Sequence, residues 1–109
     1  MEPVLVVNRF RAADALAGDR IRADLEEAHA LLAACPGYLE GRLGRSLDDP
    51  DLWVLSTRWE SVGAYRRALS SYDVKAGAVP VLSRAIDEPS AYELVGPDTV
   101  LNTALPRVT

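Results

Sequence analysis

The first apolar run, Pro-Val-Leu-Val-Val-Asn-Arg-Phe-Arg at residues 3–11, is rich in β-branched and aromatic types and predicts a strand. Val4, Val6, Asn8 and Phe10 fall on one face and Leu5 and Val7 on the other, so both faces call for burial. From Asp19 the period becomes helical. Ile21, Leu25, Ala28, Leu32 and Cys35 recur at three- and four-residue steps, with Asp19 as the expected N-cap and Pro36-Gly37 as the stop. Two strands should follow at about Tyr38–Leu47 and Leu52–Glu60, joined through the turn formers Asp48-Asp49-Pro50-Asp51. Trp53, Leu55, Thr57 and Trp59 share one face of the second. Ser61 is a good N-cap for a second helix carrying Val62, Tyr65, Ala68, Leu69 and Tyr72 at helical spacing. Asp73 starts a further helical piece, which Pro80 obliges to break; the break is expected near Gly77, with Val79, Leu82 and Ile86 packing inward around it. Ser90–Val95 reads as a last strand, and Pro89 just ahead of it argues against a central, fully paired position.

The order strand, helix, strand, strand, helix, strand predicts an α+β, ferredoxin-like βαββαβ domain with both helices on one face of a four-stranded antiparallel sheet. Residues 1–96 form this domain and 97–109 a C-terminal tail with scattered apolar residues, Val100, Leu101 and Leu105. The helix-free face would leave Leu5 and Val7 uncovered in a monomer. A second copy of the chain, giving a homodimer, is the economical cover; the tail could hide only part of that face.

Length and composition narrow the function classes. At 109 residues, 49% hydrophobic and 26% charged, the chain fits one domain. No apolar run approaches the roughly 20 residues of a membrane-spanning helix, so no membrane association is expected. Met1-Glu2-Pro3 has no basic flank of a signal peptide, and a cytoplasmic location is expected. One cysteine and one histidine leave no room for a zinc cluster. Twelve basic against sixteen acidic residues give a formal charge of −4 and no basic field for nucleic acid.

The Asn8 strand, Cys35-Pro36-Gly37-Tyr38-Leu39, Asp48-Asp49-Pro50-Asp51-Leu52-Trp53, and Thr57-Arg58-Trp59-Glu60-Ser61 with Tyr65 beyond occur in an order that resembles the antibiotic biosynthesis monooxygenase superfamily of dimeric α+β barrels. The resemblance covers roughly residues 3–95. It implies a cofactor-independent monooxygenase acting on an aromatic or polyketide-type small molecule, with no cofactor and no metal. The superfamily also includes haem-degrading enzymes, isomerases and members of no assigned activity, and shared fold does not settle reaction class. A non-catalytic dimeric module that binds a small molecule or a partner stays open beside it. A generous cavity at Asn8 would favour the enzyme, and a filled interior the module.

Asn8 is the most suggestive polar residue, because an amide among Val4, Val6 and Phe10 is costly to bury unless something bonds to it. Neighbouring backbone or water is the plain alternative; the resemblance implies an active-site asparagine, able to donate to a developing oxyanion. Trp59 reads as core from its face, while the resemblance implies a wall of the substrate cavity, and one indole can be both. Tyr65 should point inward and offer a hydroxyl. Asn8, Trp59 and Tyr65 are therefore the candidate catalytic residues, with Phe10, Leu55 and Tyr72 as candidate substrate contacts. Haem degradation is disfavoured, because Lys75 stands where the resemblance implies an axial histidine and a charged amine is a poor iron ligand. His29, between Glu26-Glu27 and Leu31-Leu32, reads as a solvated surface residue, and Cys35 as a small buried hydrophobe.

Overall fold

A computed structural model describes residues 2–101. It contains β1 (Val4–Arg11), α1 (Ala15–Ala33), β2 (Tyr38–Arg45), β3 (Leu52–Trp59), α2 (Val62–Ser70), α3 (Tyr72–Gly77), α4 (Val79–Leu82) and β4 (Ala91–Glu93). The strands form one antiparallel sheet in the order β2-β3-β1-β4. This is the α+β, ferredoxin-like arrangement expected from the sequence, and the short β4 takes an edge, where Pro89 removes no needed ladder bond. Of the tail, Leu105 lies outside the described residues.

The register explains the core. Val6 pairs with Thr57, Asn8 with Leu55 and Phe10 with Trp53, and residues directly opposite each other point to the same side of a sheet. That side is the one covered by helices: Val6, Phe10, Leu55 and Trp59 pack with Ile21, Leu25, Ala28 and Leu32 of α1 in one buried cluster, joined by Ala64, Ala68, Val74 and Ala78 of the later helical segments. The opposite side carries Leu5, Val7, Leu52 and Val54, all half-buried, and Tyr92, which is 46% exposed. No helix covers these residues.

Several boundaries differ from the sequence expectation; the last strand, expected over Ser90–Val95, is shortened to Ala91–Glu93. α1 begins four residues earlier, because the Asp14 carboxylate, not Asp19, caps it by accepting from the Ala17 amide at 2.8 Å. Ala15, Leu16 and Ala17 are strong helix formers, and Gly18 near the helix start costs too little to stop it. β2 ends at Arg45 and carries an irregularity between Tyr38 and Glu40, which leaves Leu39 outside the regular ladder. The helix expected from Ser61 through Tyr72 ends at Ser70: Ser61 caps its start by accepting from Ala64 N at 3.1 Å, and Ser71, with ψ 151°, turns the chain before α3. The break at Gly77 is where it was expected.

Gly37 closes the turn between α1 and β2 with φ +87°, and its carbonyl accepts from Glu60 N at 2.8 Å. A Cβ there would collide with the Ala64 Cβ. Gly37→Ala is therefore expected to destabilise the fold by about 1 to 3 kcal/mol through backbone strain and overpacking against α2. Urea unfolding of the two proteins measures it, and an unchanged midpoint would contradict the argument.

Candidate active site

Asn8 lies mid-strand in β1, on the helix-covered side. It is half-buried because the helices above it are interrupted. The chain turns at Ser71 and again at Ala78, so α2, α3 and α4 approach the sheet as three short segments instead of one rod. Between them and β1 remains a cavity of about 360 Å³ lined by Asn8, Tyr65, Leu69, Lys75, Val79, Leu82 and Ser83. That is within the size range of small-molecule pockets, roughly 300 to 1,000 Å³. Its wall is mostly aliphatic, with an amide, a phenol and an ammonium group as polar points. The Ser83 hydroxyl is already engaged, donating to the Pro80 carbonyl at 2.8 Å. No side-chain hydrogen bond among the described residues engages the Asn8 amide, which leaves both its donor and its acceptor free for a guest.

Tyr65 reaches this cavity from α2, and burial holds its phenol above the ordinary range, so the hydroxyl keeps its proton at neutral pH. Behind it stands Trp59, fully buried, with ring centroids 5.5 Å apart. The indole Nε1 donates to the Thr57 hydroxyl at 2.9 Å, which satisfies its polar atom inside the core. Trp59 thus backs the cavity without lining it.

The structure brings Asn8 and Tyr65 to one cavity with Trp59 directly behind, and it separates the other three sequence candidates from it. Phe10 and Leu55 are on the expected face, but both are sealed in the core. Tyr72 is 84% exposed and lines a different hollow with Cys35. The turn at Ser71 takes it off the α2 face, so helical spacing counted from Tyr65 no longer applies. Val62, at 40% exposure, likewise faces outward rather than into the core. Cys35 is half-buried, its thiol 3.5 Å from the Leu31 carbonyl.

His29 corrects the sequence reading most clearly. It is half-buried, its Nε2 hydrogen-bonded to the Tyr38 hydroxyl at 2.6 Å. The two groups close over Gly41, where a Cβ would stand 2.6 Å from His29 Nε2 and 2.7 Å from the Tyr38 hydroxyl. The glycine in β2 was the only sequence signal for that approach. Burial, and secondarily the nearby Glu40, push the Tyr38 phenol upward, against a smaller opposing effect of Arg42. Lys75 was singled out only as standing in place of an axial histidine and not as a site residue; it lines the cavity together with Asn8.

A larger hollow, about 830 Å³, lies elsewhere, at the C-terminal end of the described chain among Glu2, Glu93, Leu94, Gly96, Pro97, Asp98, Thr99 and Val100. Its lining residues are exposed, three of them are carboxylates, and none belongs to the buried core. The smaller cavity at Asn8, built on strand and helix, is the better candidate. Among the described residues no three His, Cys, Asp or Glu side chains cluster to hold a metal ion, and no helix is long and apolar enough to cross a membrane.

Comparison with known proteins places this geometry in context. The sequence profile of the antibiotic biosynthesis monooxygenase family matches residues 3–79. No curated protein gives a significant match. Among solved structures, SnoaB, a cofactor-independent oxygenase from Streptomyces nogalater, superposes with a TM-score of 0.69 at 22% identity, covering 94% of this chain and 100% of that one. Rv0793 from Mycobacterium tuberculosis gives 0.66 at 23% identity, covering 91% and 99%. A conserved protein from Methanosarcina mazei Go1 gives 0.68 at 16% identity, covering 84% and 92%. Identities this low establish a shared fold.

Proposed function

The chain belongs to the antibiotic biosynthesis monooxygenase family, and from that premise we propose that it is a cofactor-independent oxygenase whose substrate is an electron-rich aromatic small molecule bound as its phenolate. The observation that carries this reading is the convergence of Asn8, Tyr65 and Lys75 on one otherwise aliphatic cavity. A phenol entering it is held flat between Leu69, Val79 and Leu82. The Lys75 ammonium, the one lysine of the chain, favours the anionic form of the guest. A phenolate gives up an electron to dioxygen far more readily than a phenol does, so stabilising the anion prepares the substrate to act as its own reductant. The Asn8 amide donates to the oxygen on which charge develops, and the Tyr65 hydroxyl orients the ring. The resemblance of SnoaB in fold, with its cofactor-independent chemistry, supports the same reaction class. The open cavity at Asn8 favours this reading over a purely packed interaction module.

The test is binding and oxygen uptake with a panel of tricyclic polyphenols and their methyl ethers. Asn8→Ala is expected to lose about 1 to 3 kcal/mol of ligand or transition-state binding while the melting temperature holds. Lys75→Met should weaken the phenols and leave the ethers alone. Equal binding of phenols by both variants and the parent would overturn the assignment. For an asparagine with only a structural role, melting would drop and binding would not change.

A further inference from the structure

Four aromatic side chains form a continuous file from the cavity, through β3 and β2, to His29 on α1. Tyr65 lines the cavity. Its ring centroid is 5.5 Å from that of Trp59. Trp59 in turn meets Tyr38 edge-on at 5.5 Å, and Tyr38 meets His29 at 5.8 Å, with their polar atoms hydrogen-bonded at 2.6 Å. Packing alone explains why aromatic rings touch. It does not explain why the file ends in a phenol hydrogen-bonded to the only histidine of the chain.

The chemistry of the two tyrosines differs in one respect. Oxidising a tyrosine by one electron makes its hydroxyl strongly acidic, so the step is favourable only if a base takes the proton as the electron leaves. The Tyr65 hydroxyl has no hydrogen-bonded base among the described residues, whereas the Tyr38 hydroxyl is hydrogen-bonded to His29 Nε2, which accepts from it in the tautomer that carries its proton on Nδ1. Trp59 lies between them in ring contact with both, with its indole N–H held by Thr57 rather than by a base.

We propose that Tyr65, Trp59, Tyr38 and His29 form a relay that carries a one-electron oxidising equivalent out of the cavity and deposits it on Tyr38. The oxidant is a radical of the peroxyl class, formed when dioxygen adds to a substrate radical in the cavity. It accepts one electron and becomes a peroxide anion; the electron is supplied by Tyr38 through Trp59; the Tyr38 hydroxyl proton moves to Nε2 of His29 in the tautomer protonated on Nδ1. The products are a peroxide anion in the cavity, a neutral tyrosyl radical at Tyr38 and an imidazolium at His29, so charge and electrons balance. The relay would protect the cavity side chains whenever such a peroxyl radical escapes productive reaction. That use rests on the oxygenase reading above, whereas the relay itself is a property of the folded chain and is tested without any substrate.

Pulse radiolysis with azidyl radicals, which oxidise tryptophan, supplies the test; the parent and every variant carry Trp53→Phe, so that Trp59, buried at 0% exposure and reached through local opening, is the one tryptophan. In the parent protein the tryptophanyl absorption is expected to decay as a tyrosyl absorption grows, at a rate independent of protein concentration and slower in deuterium oxide. Tyr38→Phe, which keeps the ring, should slow that growth by at least about tenfold. His29→Gln, which keeps a hydrogen-bond acceptor but no base, should slow it as well, a result that a merely structural histidine would not give. Changing the exposed Tyr72 and Tyr92 together to phenylalanine should leave the rate unchanged. Undiminished growth in Tyr38→Phe, loss of growth in the Tyr72 and Tyr92 variant, or equal rates in water and deuterium oxide would each overturn the proposal.

Discussion

Trp59→Ala is expected to cost about 3 to 5 kcal/mol of folding stability, the range for deleting a large aromatic side chain from a packed core. The indole is fully buried and touches Tyr38 and Tyr65, one at the start of β2 and the other on α2. Its removal leaves a hole that these two elements cannot close without giving up their own packing. It also strips the buried Thr57 hydroxyl of the N–H that donates to it at 2.9 Å, which adds the penalty of an unsatisfied buried acceptor. For a domain of this size the melting temperature should fall by more than about 10 °C. Trp59→Phe should cost less, because it restores part of the ring contact but not the hydrogen bond. Calorimetry of both variants decides it, and an alanine variant that melts like the parent would show that Trp59 is not the anchor described here.

The second large effect concerns assembly. We propose that a second copy of the chain covers the helix-free side of the sheet, where Leu5, Val7, Leu52, Val54 and Tyr92 lie with Arg58 and Ser56 among them, opposite Leu5 and Val7. The charges on this side already have partners within the chain: Arg9 is paired with Glu88 at 2.7 Å, and Arg58 is 3.8 Å from Glu40. A twofold axis would bring the same apolar residues of two copies together. Val7→Glu places an unpaired carboxylate among them, at about 3 to 5 kcal/mol per subunit, and symmetry counts the penalty twice. A total above about 6 kcal/mol corresponds to roughly four orders of magnitude in Kd. Sedimentation at micromolar concentration should give a dimer for the parent and a monomer for Val7→Glu, with the monomer still folded because Val7 is only half-buried within one chain. A parent that sediments as a monomer, or a variant that stays dimeric, would rule the interface out.

The alternation of apolar residues was enough to read the strands and their faces. Val6, Phe10, Leu55, Thr57 and Trp59 all point where period two sends them, because a strand has no freedom to rotate a side chain to its other face. Helix starts were harder to read. Asp14 and Asp19 are equally good caps in isolation, and the choice between them depends on where β1 releases the chain, at Arg11, which sequence periodicity does not encode. The cavity was half legible for a related reason. Asn8 and Tyr65 follow from strand phase and helix spacing, whereas Tyr72 was misplaced and Lys75 not read as a site residue because both depend on the turn at Ser71, a single backbone angle. The pairing of His29 with Tyr38 was hidden for a third reason. It bridges the second half of α1 and the first residue of β2 across a glycine, and neither residue type announces a partner.

The six-residue α3 and the four-residue α4 have a thermodynamic consequence for access to the cavity. Helices so short are far below the length at which a helix holds itself together in water. Val74 and Ala78, buried against the core, do that work instead. This wall can therefore open at a free energy well below that of global unfolding, while the sheet and α1 stay intact. Amide hydrogens from Val74 to Ser83 should then exchange faster than those of β1 and β3. A ligand that spans Asn8 and Lys75 should slow them selectively, by the free energy that its occupancy adds to the closed state. Protection that rises there on binding would measure how much of a ligand's affinity goes into ordering this wall.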